Sequence, residues 1–179
     1  RAVASLHQVN TIFVKKDEDG MITNTVLKEQ NIADGLTETI IYYKPSKTGI
    51  AVADQFISNQ KYRKLFQNAV QDYIRVNGLP DIVHVHVTMK AGGIALWMKK
   101  KYVIRYIVSE HWTGFLPEAR PGLREKGIYF KNMCSRILQQ AAKVTAVSKT
   151  LAGEMAELFS IENIKVIPNV VDTTIFTPS

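Results

Sequence analysis

The sequence predicts an α/β fold built on a doubly wound, mainly parallel sheet with an inserted β-hairpin. Three observations lead there. Asp81–Val87 and Val103–Ser109 are short, almost continuous apolar runs rich in β-branched residues, the pattern of strands covered on both faces. A helical segment containing Leu96 and Trp97 lies between them, which makes a βαβ crossover. From Asp81 onward the order is strand, helix, strand, helix, strand, helix, strand, and that alternation favours a parallel sheet.

Taken in order, Ala2–Leu6 reads as the end of a helix, Val9–Val14 as a strand and Asp17–Gly20 as a turn. Val26–Asn31 and Leu36–Tyr43 form the hairpin around Ala33-Asp34-Gly35, since Asp-Gly between strand-like runs is a strong turn signal. Lys44–Ile50, with Pro45 and Gly49, is a loop. A long amphipathic helix spans Gln55–Asn77 with Tyr62, Leu65, Phe66, Ala69, Val70, Tyr73 and Ile74 on one stripe, and Asn77-Gly78 closes it. Thr88 is placed to cap the next helix, which runs to Lys101. Thr113–Arg124 is a loop long enough to serve function. Glu125–Ala142 is helical, Val144–Val147 a short strand, Ser148 the cap of helix Lys149–Phe159, and Ile164–Ile167 the last strand. The expected domain is 1–167, with 168–179 leading out of it.

A chain of 179 residues at 46% hydrophobic can bury a real core. The net charge of +7 suits a surface that meets anions. Nucleic acid is not expected as a partner, because no aromatic-interleaved basic stripe accompanies the basic residues. Lys99–Lys101 and Arg105, with the Arg120–Arg124 loop, would give a face for peripheral contact with anionic membrane, although a solvated helix end is the simpler reading. Cys134 is the only cysteine. No internal disulfide can form, a reducing, cytoplasmic setting is expected, and the thiol reads as buried and structural. No apolar run approaches the length of a membrane span.

The common catalytic signatures, a Gly-x-Ser-x-Gly elbow, a P-loop or a Gly-x-Gly-x-x-Gly turn after a strand, are missing from the sequence. His84 and His86 share a strand face, but nothing near them in sequence completes a zinc site, so no metal is expected. His84, mid-strand, reads as a satisfied core histidine, and His86 as either structural or cleft-lining. Ligands of open α/β sheets sit beyond the carboxyl ends of the strands. His86 and Thr88 at one end, and Ser109, Glu110 and His111 at the next, should therefore face one cleft. His111 is the sharpest candidate, able to hydrogen-bond a ligand hydroxyl or simply to terminate the strand, and Trp112 beside it could pack on a sugar ring.

Asp-Ile-Val-His-Val-His (81–86), Val-Ser-Glu-His-Trp (108–112), Val-Thr-Ala-Val-Ser-Lys-Thr-Leu (144–151) and Lys-Val-Ile-Pro-Asn-Val-Val-Asp (165–172) together resemble the amino-terminal half of glycosyltransferase family 4. The resemblance covers the chain from about Asp81 to its end. It implies one Rossmann-like half of a GT-B fold, the half that holds a glycan or lipid-linked sugar acceptor. A carboxyl-terminal domain would bind the nucleotide-sugar donor, which this domain alone does not hold. It also implies metal-free, retaining transfer, with His111 as the active-site histidine. His86, Thr88, Glu110, Trp112, Ser148 and Asn169 would then bind substrate, and Pro168–Asp172 would connect to the second domain. Two departures stand out: Val170 occupies the position of a usual glycine, and the chain begins inside the family's first helix. The donor domain and its paired glutamates have no place here, so the resemblance implies a fragment inactive on its own. A freestanding carbohydrate- or partner-binding module without catalysis is the alternative, and an unrelated nucleotide-binding α/β protein the third reading.

Overall fold

A computed structural model describes residues 3–20, 22–33 and 35–170. Its contacts gather into two compact units, one within residues 1–78 and one from residue 79 onward.

The first unit holds strands β1 (Val9–Lys16), β2 (Val26–Ala33) and β3 (Leu36–Tyr43) and helix α1 (Ala51–Asn77). The sheet order is β1-β3-β2. β2 and β3 form the expected hairpin, in register from Val26↔Tyr43 to Ala33↔Leu36, and β1 lies parallel to β3. The hairpin thus joins β1 in a mixed three-stranded sheet of its own. Gly35 is needed at the turn: its φ is +68°, and an added Cβ would stand 2.2 Å from the Ala4 carbonyl oxygen. Ala2 of the expected helix end lies outside the described residues, and residues 3–6 are not helical. They form a turn in which the Leu6 and His7 amides both donate to the Val3 carbonyl. Helix α1 starts at Ala51, ahead of the expected Gln55, where the Asp54 carboxylate in its first turn accepts the Thr48 amide at 2.6 Å. Phe66, Ala69 and Val70 are buried as the stripe predicted. Lys61, which lies off that stripe, extends its Nζ over the Tyr43 ring at 5.8 Å and donates to the Lys44 carbonyl.

The second unit contains β4 (Val83–His86), α2 (Ala91–Tyr102), β5 (Tyr106–Glu110), α3 (Ile128–Gln140), β6 (Lys143–Ala146), α4 (Lys149–Phe159) and β7 (Lys165–Val166). The strands lie side by side in chain order, every neighbouring pair parallel. This is the α/β arrangement that the alternation predicted. Strands added in one direction by right-handed crossovers carry their helices to one face of a sheet, and the core agrees. Val85, Tyr106, Val108, Val144 and Ala146 pack with Leu96 of α2, Cys134, Ile137 and Leu138 of α3, and Leu151 and Met155 of α4. The opposite face, by register, carries His84, His86, Ile107, Ser109, Lys143 and Thr145. Within this unit, side chains of α2, α3 and α4 pack against the first of these faces.

Several boundaries move for local reasons. Thr88 does not cap α2: Lys90 takes the cap position at φ 62°, and no side chain caps there. Val103 closes α2 in the left-handed conformation at φ 61°, which delays β5 to Tyr106. Glu125 belongs to a single 3₁₀ turn (Leu123–Glu125), and α3 starts after it at Ile128. Ser148 does cap α4, its Oγ accepting the Leu151 amide at 3.1 Å. Of the connection expected over 168–179, only 168–170 fall among the described residues.

Cys134 is fully buried, and burial, with the Glu110 carboxylate as the lesser cause, pushes its thiol up to about 12. The structural reading of this cysteine stands. Ile137 is equally buried and fills the space over Gly92, where an added Cβ would come within 2.8 Å of its Cγ2. Ile137→Ala should cost about 2–5 kcal/mol, as other large-to-small core changes do. Urea denaturation would measure this, and a loss under about 1 kcal/mol would mean that the α2–α3 packing relaxes freely.

Candidate active site

A parallel sheet sends the carboxyl ends of all its strands to one edge. Register fixes that edge here, with His86 opposite Ser109, Glu110 opposite Ala146, and Ala146 opposite Val166. The segments that leave it begin at Val87, His111, Val147 and Ile167. Every site residue expected from the sequence lies on or just after this edge.

At its centre, the carboxylate of Glu110 is fully buried and accepts four hydrogen bonds. Oε1 takes the amides of His111 at 2.9 Å and Trp112 at 2.7 Å. Oε2 takes the Thr88 amide at 2.9 Å and the Thr88 hydroxyl. No cation pairs with it among the described residues. Glu110 and Thr88, expected to touch substrate, are both buried, at 0% and 1% exposure, with their polar atoms engaged by each other and by the backbone. They shape the site from beneath. Trp112 is also turned inward, edge-on to Phe115 at 5.0 Å and Phe130 at 6.1 Å. It is a partly buried wall residue, where a platform for a sugar ring was expected. Ser148 is engaged as the α4 cap, and Asn169 is exposed beyond β7.

The histidines gather above this base. The ring of His111 lies 5.8 Å from that of His86 at an interplanar angle of 28°, and the rings of His86 and His84 are 4.2 Å apart. His84 is not a core histidine. It is exposed on the polar face, with Nε2 2.8 Å from Ser109 Oγ, and the Thr145 hydroxyl donates to the same Oγ at 2.9 Å. Large destabilisation on removing His84, which a buried ring would have implied, is therefore not expected. Ser109 was expected at the cleft, and Thr145 is the polar partner that the sequence reading passed over. The signal was the alternation His84-x-His86, which already marks a polar strand face. Partial burial lowers the pKa of His84 first, and the neighbouring His86 and His111 lower it further. His86 is lowered by the same causes, burial ahead of His111. Among the described residues no group of three or more His, Cys, Asp or Glu side chains could hold a metal ion.

The basic face is partly committed within the chain. Lys99 donates to the Gln140 carbonyl at 2.6 Å, and Lys101 lies over Trp97 and Tyr102. Arg120 pairs with Glu125 at 3.6 Å and donates to the Pro117 and Ala119 carbonyls. Among the described residues no helix is long and apolar enough to cross a membrane.

A parallel sheet flanked by helices, with histidines delivered to its carboxyl edge, defines a Rossmann-like α/β module. The family profile described as Glycosyltransferase Family 4 matches residues 44–175, well over half of the chain, so the chain belongs to glycosyltransferase family 4 and is a glycosyltransferase module. The match begins ahead of Asp81, where the motif resemblance starts, and takes in α1 as well. No curated protein matches the chain.

Two consequences can be measured. Glu110→Gln puts an amide N–H among donors that need an acceptor. Hydrogen bonds to a charged group contribute about 1.5–3 kcal/mol each, so the loss should reach at least about 2 kcal/mol in denaturant unfolding. The histidines give a pH dependence. Burial and the neighbouring imidazoles hold their folded-state pKa values below the ordinary histidine value, so as pH falls through about 6.5 the unfolded chain binds more protons. Stability should then decline until pH passes below the folded-state values. The melting temperature should drop between pH 7.5 and pH 5, and less steeply in His86→Gln. An equal slope in that variant would place the response on other groups.

Proposed function

We propose that this chain is the acceptor-side module of a retaining glycosyltransferase that works with a donor-binding domain. That domain would bring a nucleotide sugar to the carboxyl edge of the parallel sheet, and transfer would go to a glycan or lipid-linked acceptor held on this side. The observation that carries the reading is His111. It stands directly after β5, its amide held by the Glu110 carboxylate and its ring partly exposed at the edge where the four strands end. An imidazole so placed can hydrogen-bond a hydroxyl of the donor sugar. Such a bond accelerates transfer to the extent that it tightens as positive charge builds at the reacting carbon. Geometry supports the division of labour: Glu110 and Thr88 fix the backbone, Trp112 forms the inner wall, and His111 and His86 present polar atoms outward. Transfer needs both substrates held in contact, so the chain without a donor-binding domain would not turn over.

In the enzyme with its donor-binding domain, His111→Ala should lower turnover by about a hundredfold or more. The melting temperature should barely change, because a partly exposed ring past a strand end supports little core. Paired melting and steady-state kinetics test this. Near-normal turnover in the variant would remove His111 from the chemistry and favour a binding module without catalysis.

A further inference from the structure

We propose that His84 and Ser109 are positioning residues for His111, together anchoring one end of a row of imidazoles that holds its ring in place before substrate arrives. This rests on the reading that His111 meets the donor sugar. The row crosses two strand ends on the polar face. His84 and His86 are neighbours on β4, their rings 4.2 Å apart, and His86 lies parallel to His111 within 28°. The hydroxyls of Ser109 and Thr145, opposite one another on β5 and β6, pin the far end.

The hydrogen-bond donors decide which form of His84 fits. Thr145 donates to Ser109 Oγ. The hydrogen of Ser109 is then free to point at His84 Nε2, 2.8 Å away, which makes that nitrogen the acceptor in the proposed arrangement. That arrangement uses every hydroxyl hydrogen and requires a neutral His84 with its proton on Nδ1. A neutral ring held at one nitrogen is a rigid surface for His86, and His86 in turn limits the rotation of His111. The backbone of His111 is fixed separately, through the Glu110 carboxylate. Glu110 thus sets where the side chain starts and the imidazole row sets where its ring points. A polar group locked by such supporting contacts is worth more to a transition state than one that must be ordered during the reaction.

The test uses the chain itself, with ¹⁵N-labelled imidazoles observed by NMR at neutral pH. In the wild type His84 should show the Nδ1–H tautomer, and cross-relaxation should connect the rings of His86 and His111. Ser109→Ala should move His84 toward the Nε2–H form and weaken the His86–His111 contact, while Ser109→Thr, which keeps the hydroxyl, should restore both. His84→Gln is the second variant, should Ser109→Ala fail to fold, and it too should loosen the His111 ring. Unchanged His111 resonances and ring contacts in a folded Ser109→Ala or His84→Gln chain would overturn the proposal. Since this readout needs no turnover, it is separate from the kinetic test of His111. Loss of activity in His111→Ala with an indifferent ring in His84→Gln would refute positioning alone.

Discussion

The organisation of the second unit depends on one buried carboxylate. Glu110 ends β5 without a cation beside it and is satisfied by amides and a hydroxyl. A carboxylate removed from water is costly unless its lone pairs are met, and here the donors come from two separate chain segments. Thr88, just past β4, is bound to the same group as His111 and Trp112, just past β5. The two chain exits are thereby held to one atom group, and neither can move without leaving charge or amide unsatisfied. The sheet supplies the direction of these exits, while Glu110 supplies their spacing.

Much of this fold was legible because its signals are local or periodic. The Asp-Gly turn placed the hairpin, the stripe of Phe66, Ala69 and Val70 placed the buried side of α1, and Ser148 placed the start of α4. What was misread depends on contacts between distant residues. Apolar content alone does not show which face of a strand carries polar groups. The histidines at 84 and 86 carried that information, since their alternation with Val83 and Val85 puts both on one strand face. Thr88 shows a second cause. Before a helical segment, Thr is an ordinary cap, and only the folded sheet brings Glu110 close enough to compete for its hydroxyl.

The site was legible in place and less so in role. Strand order gathers the expected residues at one edge of the sheet, and the family match places the chain among glycosyltransferases. Which residues face outward could not be derived from order alone. Glu110, Thr88 and Trp112 flank His111 in sequence or across strands, yet their side chains point into the molecule. Along β5 successive side chains alternate, so Ser109 on the polar face implied Glu110 on the packed one. Applied to each strand end, that parity rule would have separated supporting residues from presenting ones.

The inward turn of Trp112 gives the molecule its own optical probe. The indole lies against Gly114, where an added Cβ would come within 2.1 Å of the ring, and it is walled by Phe115 and Phe130. It follows His111 directly in the chain, and its amide shares the Glu110 carboxylate with that of His111. The chain's other tryptophan, Trp97, sits on α2 beneath Lys101 and beside Tyr102. Indole emission responds to nearby charge and to the polarity of its surroundings. With Trp97 replaced by Phe, the remaining fluorophore would stand one residue from the imidazole row. Its intensity and wavelength would follow protonation or ligand arrival there without any label.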